Sequence, residues 1–129
     1  MVKALFDTNI LIDHLGGFEA AGLEMDRYAD GAISIISWME VMVGAPDEAA
    51  GATRSFLNSF TVVPLNDAIA ERAVGLRKAH RLRLPDAIIW ASAMEEGRLL
   101  VTRNTRDFPP EEPGIREPYR RRIRPIGCF

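Results

Sequence analysis

The sequence predicts an α/β fold: a three-layer α/β/α arrangement around a central parallel sheet of four to five strands. Two observations carry this. Short apolar runs without polar alternation recur along the chain, as strands buried on both faces require. Between them lie stretches with apolar residues at helical spacing, and such alternation builds parallel sheets.

The elements follow in order. Residues 2–6 are an apolar run with β-branched and aromatic members that stops at Asp7, a buried strand. Residues 9–15 read as a short helix ended by Gly16-Gly17, and 18–28 carry Phe18, Ala21, Leu23, Met25 and Tyr28 near helical spacing. Residues 32–36 are a second buried strand. Ser37 is placed to cap the helix that follows, which ends before Pro46. A helix over about 47–60 leads to a third strand at 61–65. Asp67 opens a helix with Ala70, Ala73, Val74 and Leu76 on one side. Pro85 suits the first turn of another, running to Gly97. Residues 99–102 form a fourth strand, and 122–126 offer a short fifth.

At 129 residues the chain has length for one core, so 1–129 is read as a single domain. No apolar run approaches the roughly 20 residues that span a bilayer. The start runs into Asp7 too soon for a signal peptide. The one cysteine, Cys128, excludes an intrachain disulfide and a cysteine-based zinc site. These features suggest a cytoplasmic protein. The net charge of −2 does not advertise nucleic-acid binding, but Arg116, Arg120, Arg121, Arg122 and Arg124 gather near the C-terminus.

In open parallel sheets the functional crevice lies beyond the C-terminal ends of the strands. That rule directs attention to Asp7, to 37–40 and to 103–107. Asp7 also suits a helix N-cap, although Thr8 and Asn9 beside it would serve as well. Ser37 and Glu40 fit a capping box, in which Glu reaches back to the Ser amide. Asp86 sits in the first turn of a helix apolar on nearly every face. There the helix dipole favours an acid by about 0.3–1 kcal/mol, while burying an unpaired carboxylate costs far more. Asn104 and Asp107 are ordinary loop formers taken singly. Together, Asp7, Glu40, Asp86 and Asp107 are four acids expected at one rim, where they repel unless a cation is present or some are protonated. Hard cations such as Mg²⁺ or Mn²⁺ take oxygen ligands and activate water toward phosphoryl groups. Metal-assisted phosphodiester hydrolysis is the matching reaction class.

At this point the chain resembles the PIN-domain family, and within it the VapC toxins. The matching stretches are Phe6-Asp7-Thr8-Asn9-Ile10-Leu11-Ile12-Asp13, Ser37-Trp38-Met39-Glu40-Val41, Leu84-Pro85-Asp86-Ala87-Ile88-Ile89-Trp90-Ala91 and 100–108. The resemblance covers essentially the whole chain. It implies a PIN-like fold, a Mg²⁺- or Mn²⁺-dependent ribonuclease acting on RNA, a homodimer, and inhibition by a cognate VapB-like antitoxin. It places Asp7, Glu40 and Asp86 on the family's metal-site acids. Many members carry an acid where Asn104 stands; VapC-like ones often have Asn there and an acid at the position of Asp107. Thr8 and Ser37 match positions that help place water or phosphate, and Arg103 and Arg106 flank the site as candidates to grip phosphate.

Other readings fit less well. A haloacid-dehalogenase-like phosphatase wants a second Asp where Asn9 stands. A receiver domain needs a late lysine, and the chain has only Lys3 and Lys78. A P-loop or dinucleotide enzyme needs a Gly-rich turn after the first strand. The remaining alternative is a PIN fold without activity that serves as a binding module. Two surfaces complete the reading. Trp38, Met39, Met42 and Val43, beside Phe18 and Leu23, suit either a groove for an amphipathic antitoxin helix or core packing. Tyr119 among Arg120, Arg121, Arg122 and Arg124 suits either an RNA-binding strip or a solvated basic tail.

Overall fold

Five parallel strands form the sheet, in the order β3-β2-β1-β4-β5. They are β1 (Ala4–Phe6), β2 (Gly31–Ser34), β3 (Thr61–Val63), β4 (Leu99–Val101) and β5 (Ile115–Arg116). The helices are α1 (Thr8–Leu15), α2 (Glu19–Met25), α3 (Ile35–Gly44), α4 (Ala50–Leu57), α5 (Asp67–His80) and α6 (Leu84–Glu95). This computed structural model describes residues 1–121.

Alternation along β1 divides the core. Ala4 and Phe6 face one side with Ile10, Leu11, Ala21, Ile33 and Leu57, under α1, α2 and α4. Leu5 faces the other with Ala32, Ile69, Ile89, Trp90 and Leu100, under α5 and α6. All three residues of β1 are wholly buried, as its unbroken apolar run requires. Close packing also fixes Gly31. A Cβ there would stand 2.8 Å from the Phe6 ring, which Tyr28 and Phe60 already meet edge to face.

The strand order has one functional consequence. From β1 the chain steps through β2 to β3 on one side, then returns to lay β4 and β5 on the other. The order reverses between β1 and β4, and crevices open at such a switch beyond the strands' C-terminal ends.

Several boundaries differ from the sequence expectation, and four stretches differ in ways that matter. The second strand ends at Ser34, and Ile35-Ile36 open α3 although β-branched residues favour strands. Ser34, not Ser37, is the N-cap, in extended conformation with its hydroxyl accepting from the Ile36 amide at 3.1 Å. The helix expected over 47–60 begins as a 3-10 turn, Asp47–Ala49, before α4. The third strand stops at Val63 because Pro64 has no N–H for the ladder. The fifth strand is Ile115–Arg116, pairing with Leu100 and Val101. The candidate at 122–126, with Arg122, Arg124 and Cys128, lies outside the described residues.

Candidate functional site

Asp7 ends β1 and is the N-cap of α1, so it does serve as a cap despite its neighbours. Its amide donates to the Val101 carbonyl at 2.9 Å, tying it to β4 across the switch. The carboxylate is 4% exposed. Oδ1 accepts from the Thr8 amide at 2.8 Å, and Oδ2 accepts from Thr102 Oγ1 at 2.8 Å and Asn9 Nδ2 at 3.2 Å. Burial pushes its pKa up from 3.8 to about 6. The bonds from Thr102 and Thr8 hold it down in part, while the charges of Asp86 and Glu40 raise it further.

Asp86 occupies the first turn of α6, behind Pro85, and is nearly buried. Its Oδ2 accepts no hydrogen bond from the described residues. The nearest cation, Arg83 Nε, stands 3.5 Å away on a side chain that is itself largely exposed. Burial raises this carboxyl above its usual range; Arg83 opposes the rise, and Asp107 and Glu40 add to it. An orphaned buried carboxylate oxygen is rare, because it forfeits solvation without a replacement. It is the donor a hard cation would take up.

Glu40 forms no capping box. Thr8 Oγ1 lies 2.8 Å from Glu40 Oε1 and 2.8 Å from the buried Ser37 Oγ. A carboxylate only accepts, so the Thr8 proton serves Glu40 and the Thr8–Ser37 contact uses the proton of Ser37. Ser37 thus supports Thr8, and Thr8 orients Glu40. Asp107 is held from its own loop: Asn104 Nδ2 donates to Asp107 Oδ2 at 3.0 Å. Asn104 and Asp107 therefore act as a pair, with Asn104 orienting the acid.

The four acids share one electrostatic neighbourhood, since Asp7 feels Asp86 and Glu40, and Asp86 feels Asp107 and Glu40. Among the described residues no three acidic, histidine or cysteine side chains stand close enough together to hold a metal ion. Glu40 and Asp107 are turned onto Thr8 and Asn104.

The flanking arginines divide. Arg106 is exposed at the rim. Arg103 instead forks onto the buried Asp13, with Nε to Oδ2 at 2.6 Å and Nη2 to Oδ1 at 3.0 Å. The described part of the expected basic strip, Tyr119 to Arg121, is also turned largely to structural contacts. Tyr119 donates to Asp13 Oδ2 and Arg121 to Asp13 Oδ1, each at 2.8 Å, and Arg121 stacks on Phe18. Arg116 forks onto the buried Glu24 of α2. Among the described residues of this group, Arg120 points outward, near Glu117.

Three residues escaped the sequence reading. Thr102 is wholly buried and holds Asp7; a polar residue directly after an apolar strand was the available signal. Asn9 and Asp13 lie four apart on α1, and neither stood out in a motif rich in cap formers. The expected apolar surface also splits. Trp38, Met42 and Phe18 pack against the core, whereas Met39, Val43 and Leu23 are exposed. A groove of about 600 Å³ is lined by Ile12, Leu15, Val41, Ala45 and Ala49, with Glu40 also in its wall.

The PIN domain family model matches residues 4–109. Ribonuclease VapC10 of Mycobacterium tuberculosis is 34% identical over 113 residues, spanning 81% of this chain and 85% of its own. A solved toxin–antitoxin complex from Klebsiella pneumoniae contains a chain 47% identical, with a TM-score of 0.86, covering 90% of this chain and 98% of its own. The DNA-bound VapBC structure from Salmonella typhimurium, at 24% identity and TM-score 0.74 over 90% of this chain and 96% of its own, is alike in fold.

Proposed function

Because the chain belongs to the PIN-domain family, in its VapC branch, we propose that it is a metal-dependent endoribonuclease toxin that hydrolyses RNA phosphodiester bonds and is restrained by a cognate VapB-like antitoxin. One observation carries the catalytic reading. At the switch between β1 and β4, the buried Asp7 meets the charge of Asp86, whose Oδ2 has no hydrogen-bond partner among the described residues. Two carboxyls kept in that state suit a Mg²⁺ or Mn²⁺ ion, with oxygen donors of the type those ions prefer. Asp7 and Asp86 would hold it, joined by Glu40 and Asp107. Lewis acidity toward water and the phosphoryl group is what such an ion supplies when bound.

The chain's own residues do the rest. Thr102 and the Thr8 amide fix both oxygens of Asp7, so its geometry is set before any substrate arrives. Ser37 supports Thr8, which holds Glu40 at the edge of the crevice, and rotated away from that bond Glu40 can take a proton from water. Asn104 keeps Asp107 at the rim, and Arg106 beside it is free to meet RNA phosphate. The groove beside Glu40 suits an amphipathic antitoxin helix, with a basic residue of that helix reaching the carboxylate. The relatives' names support this reading: one is a ribonuclease, and the similar solved structures are toxin–antitoxin complexes. A homodimeric, cytoplasmic protein acting as one unit over 1–129 accords with it.

Incubating purified protein with RNA tests the proposal. Cleavage in Mn²⁺ that stops with chelator and with Asp7→Asn is the expected result. A folded parent that binds antitoxin yet leaves RNA intact in Mn²⁺ and Mg²⁺ would be a binding module instead.

A further inference from the structure

Asp13 is one of the most deeply buried charges in the fold, 1% exposed, and lies outside the acidic cluster. Its two oxygens take four donors: Arg103 Nη2 and Arg121 Nη1 on Oδ1, Arg103 Nε and Tyr119 Oη on Oδ2. That fills the acceptor capacity of a carboxylate. Burial alone would raise this carboxyl, but the bonds from Arg103, Tyr119 and Arg121 outweigh it and hold it below its ordinary range.

What these donors belong to gives the cluster its meaning. Arg103 sits between Thr102, which binds Asp7, and Asn104, which binds Asp107. One turn before Asp13 on the same face of α1, Asn9 Oδ1 accepts from the Arg103 amide at 3.4 Å, and Asn9 Nδ2 reaches Thr102 Oγ1 at 3.3 Å. So α1 grips the loop after β4 twice, by backbone through Asn9 and by side chain through Asp13. On the far side of Asp13, Tyr119 packs on Phe18 and Arg121 stacks over the same ring. They close the carboxylate off from water.

We infer that Asp13 is a positioning residue: its fork on Arg103, sealed by Tyr119 and Arg121, sets the loop that presents Asn104 and Asp107 to the reaction centre. This rests on the nuclease reading for its catalytic consequence but not for its structural one. The fork has a direction as well as a charge. A planar guanidinium bound through two parallel N–H groups admits one orientation, whereas an ammonium pairs with the same carboxylate from many. Arg103 is accordingly part of the support of the site and does not reach for RNA.

The test uses full-length, metal-free protein and its Arg103→Lys and Tyr119→Phe variants, with Asp13→Asn as a harsher third. The amides of Arg103, Asn104, Thr105, Asp107 and Phe108 all donate within the loop or to Asn9, so hydrogen exchange reads their order directly. Arg103→Lys should speed exchange at these amides while those of β1 and β4 keep the parent's rates. In RNA cleavage with Mn²⁺ it should lower kcat on the order of tenfold or more with KM held, the pattern of a misplaced group. Tyr119→Phe should move both readouts the same way by less. Exchange that rises equally in the strands would make the cluster ordinary structural glue. A raised KM with unchanged kcat would return Arg103 to RNA binding, and unchanged loop exchange would overturn the inference outright. If the parent cleaves no RNA, the nuclease reading fails, and loop exchange alone still decides the role of Asp13.

Discussion

Asp7 does two jobs whose demands conflict. As the N-cap of α1 it is best ionised, yet it lies buried beside Asp86 and Glu40, and its pKa rises from 3.8 to about 6. An acid whose folded pKa lies above its unfolded one binds protons more tightly when folded. Its ionisation therefore destabilises the metal-free protein as pH climbs from about 4 to 6, and the loss is complete above that window. A gap of about two units corresponds to roughly 3 kcal/mol. Metal-free protein should accordingly melt lower at pH 7 than at pH 5, and Asp7→Asn should remove most of that difference. Asp86 shifts the same way. Asp13 and Glu24 shift downward, so they lose stability only when pH falls below the ordinary carboxylate range. A flat melting profile from pH 5 to 7 would contradict the burial argument. Asp7, Glu40, Asp86 and Asp107 were legible as candidates because the sequence puts Asp7, Glu40 and Asp107 in stretches that follow apolar strands and Asp86 in the first turn of a buried helix. What sets Asp7 and Asp86 apart from ordinary caps was not, since Asp7 is held by Thr102, far away in sequence, and Asp86 keeps a buried oxygen that no described donor reaches.

At the scale of elements, α3 shows where local reading fails. Ile35 and Ile36 look like strand, and Ser37 with Glu40 looks like a capping box. Chain direction decides otherwise, because Ser34 is already extended and turns the backbone into helix. Removing the cap by Ser34→Ala should cost about 1 kcal/mol in stability and spare the site. Ser37→Ala should leave the helix end intact and instead loosen Thr8 and Glu40, so its loss appears in cleavage before it appears in melting. The reverse ordering would restore the capping box. The apolar surface of α1 and α3 was half legible: Met39 and Val43 are exposed as a docking face needs, but Trp38 is spent on the core and on Asn58. The groove is lined by Ile12 and Leu15 of α1, Val41 of α3 and Ala49 before α4, invisible until α1 and α4 are both packed on α3. Ile12→Lys, at a half-exposed site, should weaken binding of an antitoxin helix by roughly 2 kcal/mol without lowering the melting temperature. Val43→Lys should do less. Equal effects would shift the docking face onto α3.

For the whole molecule, the alternation of apolar strands with helices was enough to foresee a parallel sheet with both faces covered. It could not foresee β5, a two-residue strand in a Pro- and Gly-rich stretch that reads as turn and exists only because β4 offers an unpaired edge. Nor could it tell that the strand order reverses between β1 and β4, which brings Asp7 and Thr102 together. On the function proposed here, this reversal builds a site where carboxylates are kept at a disadvantage until a divalent cation arrives. The Mn²⁺-induced shift in melting temperature, compared between the parent and Asp86→Asn, tests this without knowing the RNA target. Asparagine keeps the shape of Asp86 and deletes its charge, and Arg83, its partner, is mostly exposed and loses little. Metal-free Asp86→Asn should melt at the parent's temperature or above it, while Mn²⁺ stabilises the parent by mass action and the variant far less. A variant that melts lower, by the 1 kcal/mol or so of a lost helix-dipole contact, and still gains the parent's full shift from Mn²⁺ would reduce Asp86 to a cap and contradict the account.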